Sequence, residues 1–183
     1  MKLWNVGMTR LFAVIGLCLA AALPAAAQQN DPQNTVYLQT KDGRITIRLR
    51  PDLAPKHVAQ IKALTKRGFY DGIVFHRVIP GFMAQTGDPT GTGTGGSDLP
   101  NIPAEFTQEP FKRGSVGMAR SSSPNSANSQ FFICYEGCGS LTGQYTVWGQ
   151  VIEGMENVDK VAVGEPPANP TKMTKVRLQS DLN

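Results

Sequence analysis

The sequence predicts an all-β domain, either a barrel or a sandwich, with one helix near each end to cover an opening. Short apolar runs alternating with period two predict the strands, and Gly/Pro punctuation predicts tight connections between them. Only two stretches repeat their apolar residues at helical spacing. Periodicity alone does not choose between barrel and sandwich.

In chain order, TVYLQT and GRITIRL alternate as two strands joined through Lys41-Asp42-Gly43, where Asp-Gly suits a hairpin turn. Asp52 and Pro55 open PKHVAQIKALTKRG. There Val58, Ile61, Ala63 and Leu64 form an apolar stripe, basic residues gather at the end, and Gly68 stops the helix. FHRVI reads as a strand with Phe75, Arg77 and Ile79 on one face and His76 and Val78 on the other. An arginine on a face that otherwise reads apolar needs a carboxylate partner or a task, because burying an unpaired charge is costly. FMAQTGD and the glycine loop GTGTGG follow. Strands resume at GSVGMA, QFFIC and TVWGQV. GMENVDKVAV reads as a second, shorter helix, EPPANPTK as a proline-rich turn, and MTKVRLQ as a closing strand.

The first 27 residues are expected to stand outside this domain. Lys2 and Arg10 flank the start of a chain whose apolar run extends from Leu11 to Leu23, and Ala25-Ala26-Ala27 offers a cleavage site before Gln28. That order describes a secretory signal peptide. The apolar run is short against the roughly 20 residues of a spanning helix, and Cys18, behind the bulky Leu17 in mid-run, does not suit a lipid anchor. The expected organisation is a signal peptide over 1–27, a polar run-in over 28–34 and one domain over 35–183, located in the periplasm or, alternatively, secreted. Losing the leader removes two basic residues and no acidic ones, so the net charge falls from +4 to +2. With no Lys/Arg stripe, nucleic acid is not an expected partner, and neither is the membrane after cleavage. A monomer is expected.

Two cysteines remain in the mature chain, Cys134 and Cys138 in CYEGC, within an oxidising compartment. They could bridge across a tight turn, or Cys134 could be a buried thiol continuing the apolar run FFIC; both stay open. Zinc has no support, since the histidines are His57 and His76 alone and neither C-x-x-C nor H-x-x-x-H spacing occurs. GTGTGG is not a phosphate loop: two prolines forbid an immediate helix after it, and it holds no lysine. Ser140 in GCGSLTG lacks the G-x-S-x-G elbow and a base to activate it, so a secreted hydrolase has little support. The carboxylates are too scattered for a paired acid/base site.

FHRVIPGFMAQTGDPTGTGTGG, GSVGMAR, NSQFFICYE and LTGQYTVWGQVIEGMENVDKV together resemble the cyclophilin family of peptidyl-prolyl cis–trans isomerases, in its short bacterial exported form. The resemblance runs from about Thr35 to Gln179. It implies a closed antiparallel eight-stranded barrel with two capping α-helices. It also implies catalysed rotation of Xaa-Pro bonds, assisting the folding of exported proteins, with Xaa-Pro-containing polypeptides as partners and no cofactor. A non-catalytic peptide-binding or chaperone module on the same barrel is the alternative, and retention of Arg77 speaks against it.

By this resemblance Arg77 is the catalytic residue. Phe82, Met83, Phe132 and Leu141 form a hydrophobic pocket for the proline ring, and Gln85 hydrogen-bonds the substrate backbone. Ala119 and Arg120 line the peptide groove, and Gln130 and Tyr145 complete the substrate-binding set. Four departures stand out. Tyr145 falls where many members have histidine, and Ser140 falls where the best-known eukaryotic members carry a tryptophan that contacts cyclosporin. Weak cyclosporin binding is therefore expected. Arg120 replaces a common asparagine, and RSSSPNSANSQ is one residue longer than the usual eukaryotic loop, so preference beyond the proline is left open.

Overall fold

The computed structural model describes Met1 and residues 31–182. The expected signal peptide, with Cys18, and residues 28–30 of the run-in lie outside the described residues.

Eight strands form the fold: β1 (Thr35–Thr40), β2 (Gly43–Leu49), β3 (Arg77–Ile79), β4 (Met83–Thr86), β5 (Ser115–Met118), β6 (Phe131–Cys134), β7 (Val147–Glu153) and β8 (Lys175–Leu178). The two helices are α1 (Pro55–Lys66) and α2 (Met155–Val158). The first hairpin is the one expected: β1 and β2 pair antiparallel from Thr35 opposite Arg48 to Thr40 opposite Gly43. Helix α1 starts with Pro55, where a missing N–H costs nothing, and the chain leaves it through Gly68 in the left-handed region at φ 67°. Val58, Ile61 and Leu64 are buried on the inner side of α1. Asp52 does not cap it. Ala54 stands at the cap without a side-chain acceptor, and Asp52 is paired with Arg50 at 2.8 Å. Glu105, from a distant loop, takes over by accepting the free N–H groups of Lys56 and His57 at 3.1 and 3.0 Å.

All strand pairs are antiparallel, in the order β3-β4-β6-β5-β7-β2-β1-β8. This corrects the expectation of a closed barrel. The sheet is an open, curved half-barrel, and its edge strands β3 and β8 are not paired with each other. Irregular segments lie between them. Gly72 N donates to Met173 O at 2.7 Å, Met173 N to Ile73 O at 2.9 Å and Phe75 N to Thr171 O at 2.9 Å. Pro166, Pro167 and Pro170 precede this stretch. Proline has no N–H to donate and breaks any ladder that would run through it.

The strand read over FHRVI is also shorter than expected. Only Arg77–Ile79 is strand. The N–H groups of Phe75 and His76 bond to Thr171 and Gln85, and Phe75 is fully buried in the main core. Phe75 therefore does not share the face of Arg77 and Ile79.

Alternation along the central strands divides the apolar residues into two clusters on opposite faces of the sheet. Ala84, Phe131, Ile133 and Trp148 belong to the main core inside the curve, with residues of α1. Met83, Phe132, Cys134 and Val147, their immediate neighbours in sequence, form a second cluster with Phe111 and Cys138. That is why FFIC is apolar throughout: β6 is buried on both faces.

Candidate functional site

The second cluster floors a cavity of about 620 Å³. Strand register builds the floor. Arg77 on β3 stands opposite Gln85 on β4, Gln85 opposite Phe132 on β6, and Phe132 opposite Gly117 on β5, which makes one row across four strands. Gly117 is needed in that row because a Cβ there would run into the rings of Phe132 and Phe111. Those rings stack at 5.6 Å and 24°, and Tyr145 meets Phe132 edge-on at 5.9 Å.

Nine of the ten site residues expected from sequence line this one cavity: Arg77, Phe82, Met83, Gln85, Ala119, Arg120, Phe132, Leu141 and Tyr145. The tenth, Gln130, lines an adjoining cavity of about 540 Å³, which shares Gln85, Gly93, Ala119 and Arg120 with the first. Leu141 reaches the cavity from a 3-10 turn (Gly139–Leu141) that follows Cys138. Cys134 and Cys138 are bridged, with Cα atoms 6.0 Å apart, which ties this turn to the end of β6.

Arg77 has the carboxylate partner its position asked for. Its Nε donates to Glu165 at 2.7 Å, and its Nη1 reaches Gln85 Oε1 at a long 3.4 Å. Among the described residues no acceptor bonds its Nη2. The side chains of Arg77 and Glu165 are 42% and 51% exposed, so the pair sits at the cavity rim and not in the interior. An exposed pair of this kind contributes about 0–1 kcal/mol. It orients the guanidinium more than it stabilises the fold.

From Arg77 a chain of hydrogen bonds runs to the glycine loop. Gln85 Nε2 donates to Gln130 Oε1 at 2.9 Å, and Gln130 Nε2 donates to the carbonyls of Gly93 and Gly95 at 3.0 and 2.8 Å. On the loop's other side, buried Asp88 accepts from the N–H groups of Thr90, Gly93 and Gly95 and from the Thr90 hydroxyl. Burial pushes the Asp88 carboxyl up, but these bonds outweigh it and hold the group below the ordinary carboxylate range. GTGTGG is thus a tethered wall of both cavities.

Sequence reasoning missed His76, the glycine-loop residues Gly91, Thr92 and Gly93, and Glu165 with Pro166, all of which line the first cavity. No local signal marks Glu165, which is 88 residues from Arg77. His76 was legible as the neighbour of Arg77 with no other assignment. Its ring is buried and its pKa lies below the ordinary value, chiefly through burial, so it stands neutral beside the cavity at neutral pH.

The family model described as "Cyclophilin type peptidyl-prolyl cis-trans isomerase/CLD" matches residues 35–180. The chain belongs to the cyclophilin-type peptidyl-prolyl cis–trans isomerases. It is 52% identical to a "Probable peptidyl-prolyl cis-trans isomerase" of Brucella suis over 92% of this chain and 93% of that one. The cyclophilin fold is likewise that of cyclophilin AquaCyp293 from Hirschia baltica, with a TM-score of 0.77, 31% identity, and 84% of this chain and 76% of that one covered. A Cryptosporidium parvum cyclophilin-type isomerase, solved in the presence of the dipeptide Ala-Pro, superposes with a TM-score of 0.73 at 31% identity over 79% of this chain and 98% of that one.

Proposed function

We propose that Arg77 carries the isomerase activity of this cyclophilin, on Xaa-Pro bonds of exported polypeptides. One observation carries the assignment: a guanidinium held by its Nε edge at the rim of a cavity with an apolar floor, with Nη2 unbonded among the described residues. The Ala-Pro dipeptide present with the Cryptosporidium relative supports the substrate class.

The chemistry follows from the amide. Rotation about an Xaa-Pro bond is opposed by a barrier of about 18–20 kcal/mol, because nitrogen shares its lone pair with the carbonyl. At the twisted transition state that sharing is lost, and the prolyl nitrogen becomes pyramidal and a better acceptor. A donor fixed toward that nitrogen binds the twisted form better than either planar form, and that difference lowers the barrier. Arginine suits the task because it stays charged and presents a planar fork. With Glu165 on the Nε edge, the Nη edge is the one left for substrate.

Magnitudes require help from the pocket. One charge-assisted hydrogen bond contributes roughly 1.5–3 kcal/mol, whereas a thousandfold acceleration needs about 4 kcal/mol. Phe82, Met83, Phe132 and Leu141 supply the remainder by seating the proline ring in a partly dry, preformed niche. Gln85, braced by Gln130, is placed to bond the substrate backbone. Arg77→Ala is expected to lower kcat/KM for exchange of a short Ala-Xaa-Pro peptide by at least about a hundredfold, about 2.7 kcal/mol. Circular dichroism would confirm that both proteins are folded, and equal rates would remove Arg77 from the mechanism.

The exported setting rests on the leader over residues 1–27 and on Cys134–Cys138, a bridge that suits an oxidising compartment. The first described element, a 3-10 turn over Pro32–Asn34, begins after the expected cleavage site. In this reading the enzyme speeds proline-limited folding steps in the periplasm.

A further inference from the structure

The two cavities differ in chemistry. The first is floored by apolar side chains and the second is polar, walled by Thr94, Ser97, Asn101, Ser121, Ser126 and Asn128. No carboxylate lines the second cavity. Arg120 stands at the seam and lines both.

Arg120 is fixed there without being neutralised. Its Nη1 donates to the carbonyl of Ser121 at 2.9 Å, with that of Ser122 at 3.4 Å, and its Nη2 donates to that of Gln144 at 3.1 Å. Its guanidinium carbon lies 4.5 Å over the Tyr145 ring. Carbonyl oxygens and a ring face orient a guanidinium but leave its full charge in place. Arg77, the other cation lining these cavities, is paired with Glu165, and His76 is neutral. Among the described residues Arg120 is therefore the one cation lining either cavity without a carboxylate partner.

We infer that Arg120 makes this cyclophilin select substrates carrying an acidic side chain close to the proline, seated in the polar cavity beyond the proline niche. The inference rests on the assignment of the first cavity to proline. An extended peptide advances about 3.3 Å per residue, so a proline in the first cavity leaves near neighbours to cross the seam and enter the second. A Glu or Asp side chain arriving there meets an oriented, uncompensated charge and hydroxyl and amide donors. A Lys or Arg side chain meets repulsion and finds no acid.

The test uses matched peptides with Glu, Gln or Lys placed in turn at each of the three positions on either side of proline. The value of kcat/KM is measured at low ionic strength. At one or more positions the Glu peptide should be favoured over the Lys peptide by at least about fivefold, with Gln between them. Raising the salt should shrink that ratio, because partly exposed charges are screened. Arg120→Gln should bring the ratio to about one, whatever it does to the absolute rates, and Arg120→Asn serves if Arg120→Gln does not fold. A wild-type ratio within about twofold at all six positions overturns the inference, as does a ratio that survives in a folded variant. Turnover of every peptide without charge preference sinks this inference alone. Failure to turn over any of them sinks the assignment of the proline cavity.

Discussion

Ser140 shows how much can hang on one side chain beside the site. It is exposed in the 3-10 turn whose last residue, Leu141, lines the cavity. A tryptophan at this place would offer a large apolar surface to a ligand, while serine offers almost none. Apolar burial contributes about 25 cal/mol per Å², so the loss of an indole contact of some 80 Å² weakens a bulky apolar ligand by about 2 kcal/mol, roughly thirtyfold. The expected outcome is poor inhibition by cyclosporin with isomerase activity intact, and recovery of inhibition in Ser140→Trp. Nanomolar inhibition of the unaltered protein would count against this. Tyr145 departs from the common histidine in a more conservative way. Its ring still braces Phe132 edge-on, and its face carries Arg120.

Helix α1 illustrates a local weakness repaired from elsewhere. Its cap residue, Ala54, offers no acceptor, and Glu105 supplies one for two backbone N–H groups and for His57 Nδ1 at 2.6 Å. An ionised carboxylate only accepts, so the neutral His57 ring carries its proton on Nδ1. Burial pushes the His57 pKa down more than Glu105 raises it. The Glu105 carboxyl is pushed up by burial, but the bonds from His57 and the Lys56 N–H hold it below its ordinary value. In both cases the unfolded chain binds protons more readily than the fold. Stability is therefore complete above the ordinary histidine value of 6.5 and falls as the pH drops below it toward the lowered folded value. A further decline begins below the ordinary glutamate value of 4.5. Buried His76 acts in the same direction. Urea unfolding should show a lower stability at pH 5 than at pH 7, and Glu105→Ala should cost about 2 kcal/mol at pH 7 through two unsatisfied N–H groups and an orphaned imidazole. Unchanged midpoints would contradict this account of the helix start.

At the scale of the whole molecule, the proposed export predicts that residues 1–27 are removed as a leader. Expression of the full chain in a bacterial host should yield a mature protein beginning at Gln28 in the periplasmic fraction, read by N-terminal sequencing. A chain retained in the cytosol with residues 1–27 intact would remove the exported reading. Within the fold, what was legible was what short-range patterning dictates. The β1–β2 hairpin follows from alternation and Asp-Gly, α1 from its apolar stripe between Pro55 and Gly68, and the all-β class from strand after short strand. The family resemblance carried by FHRVIPGFMAQTGD, GSVGMAR, NSQFFICYE and LTGQY further pointed to ten residues, nine of which share one cavity. Tertiary structure alone decided the rest. The half-barrel stays open because irregular backbone and prolines interrupt the seam between β3 and β8. Glu165 reaches Arg77, and Glu105 caps α1, across separations that no periodicity spans. The split of FFIC between two clusters needs both faces of the sheet to be covered. Alternation and turn chemistry act over a few residues and are written in the sequence. Ion pairs, seams and charge balance depend on which distant residues the folded backbone brings together.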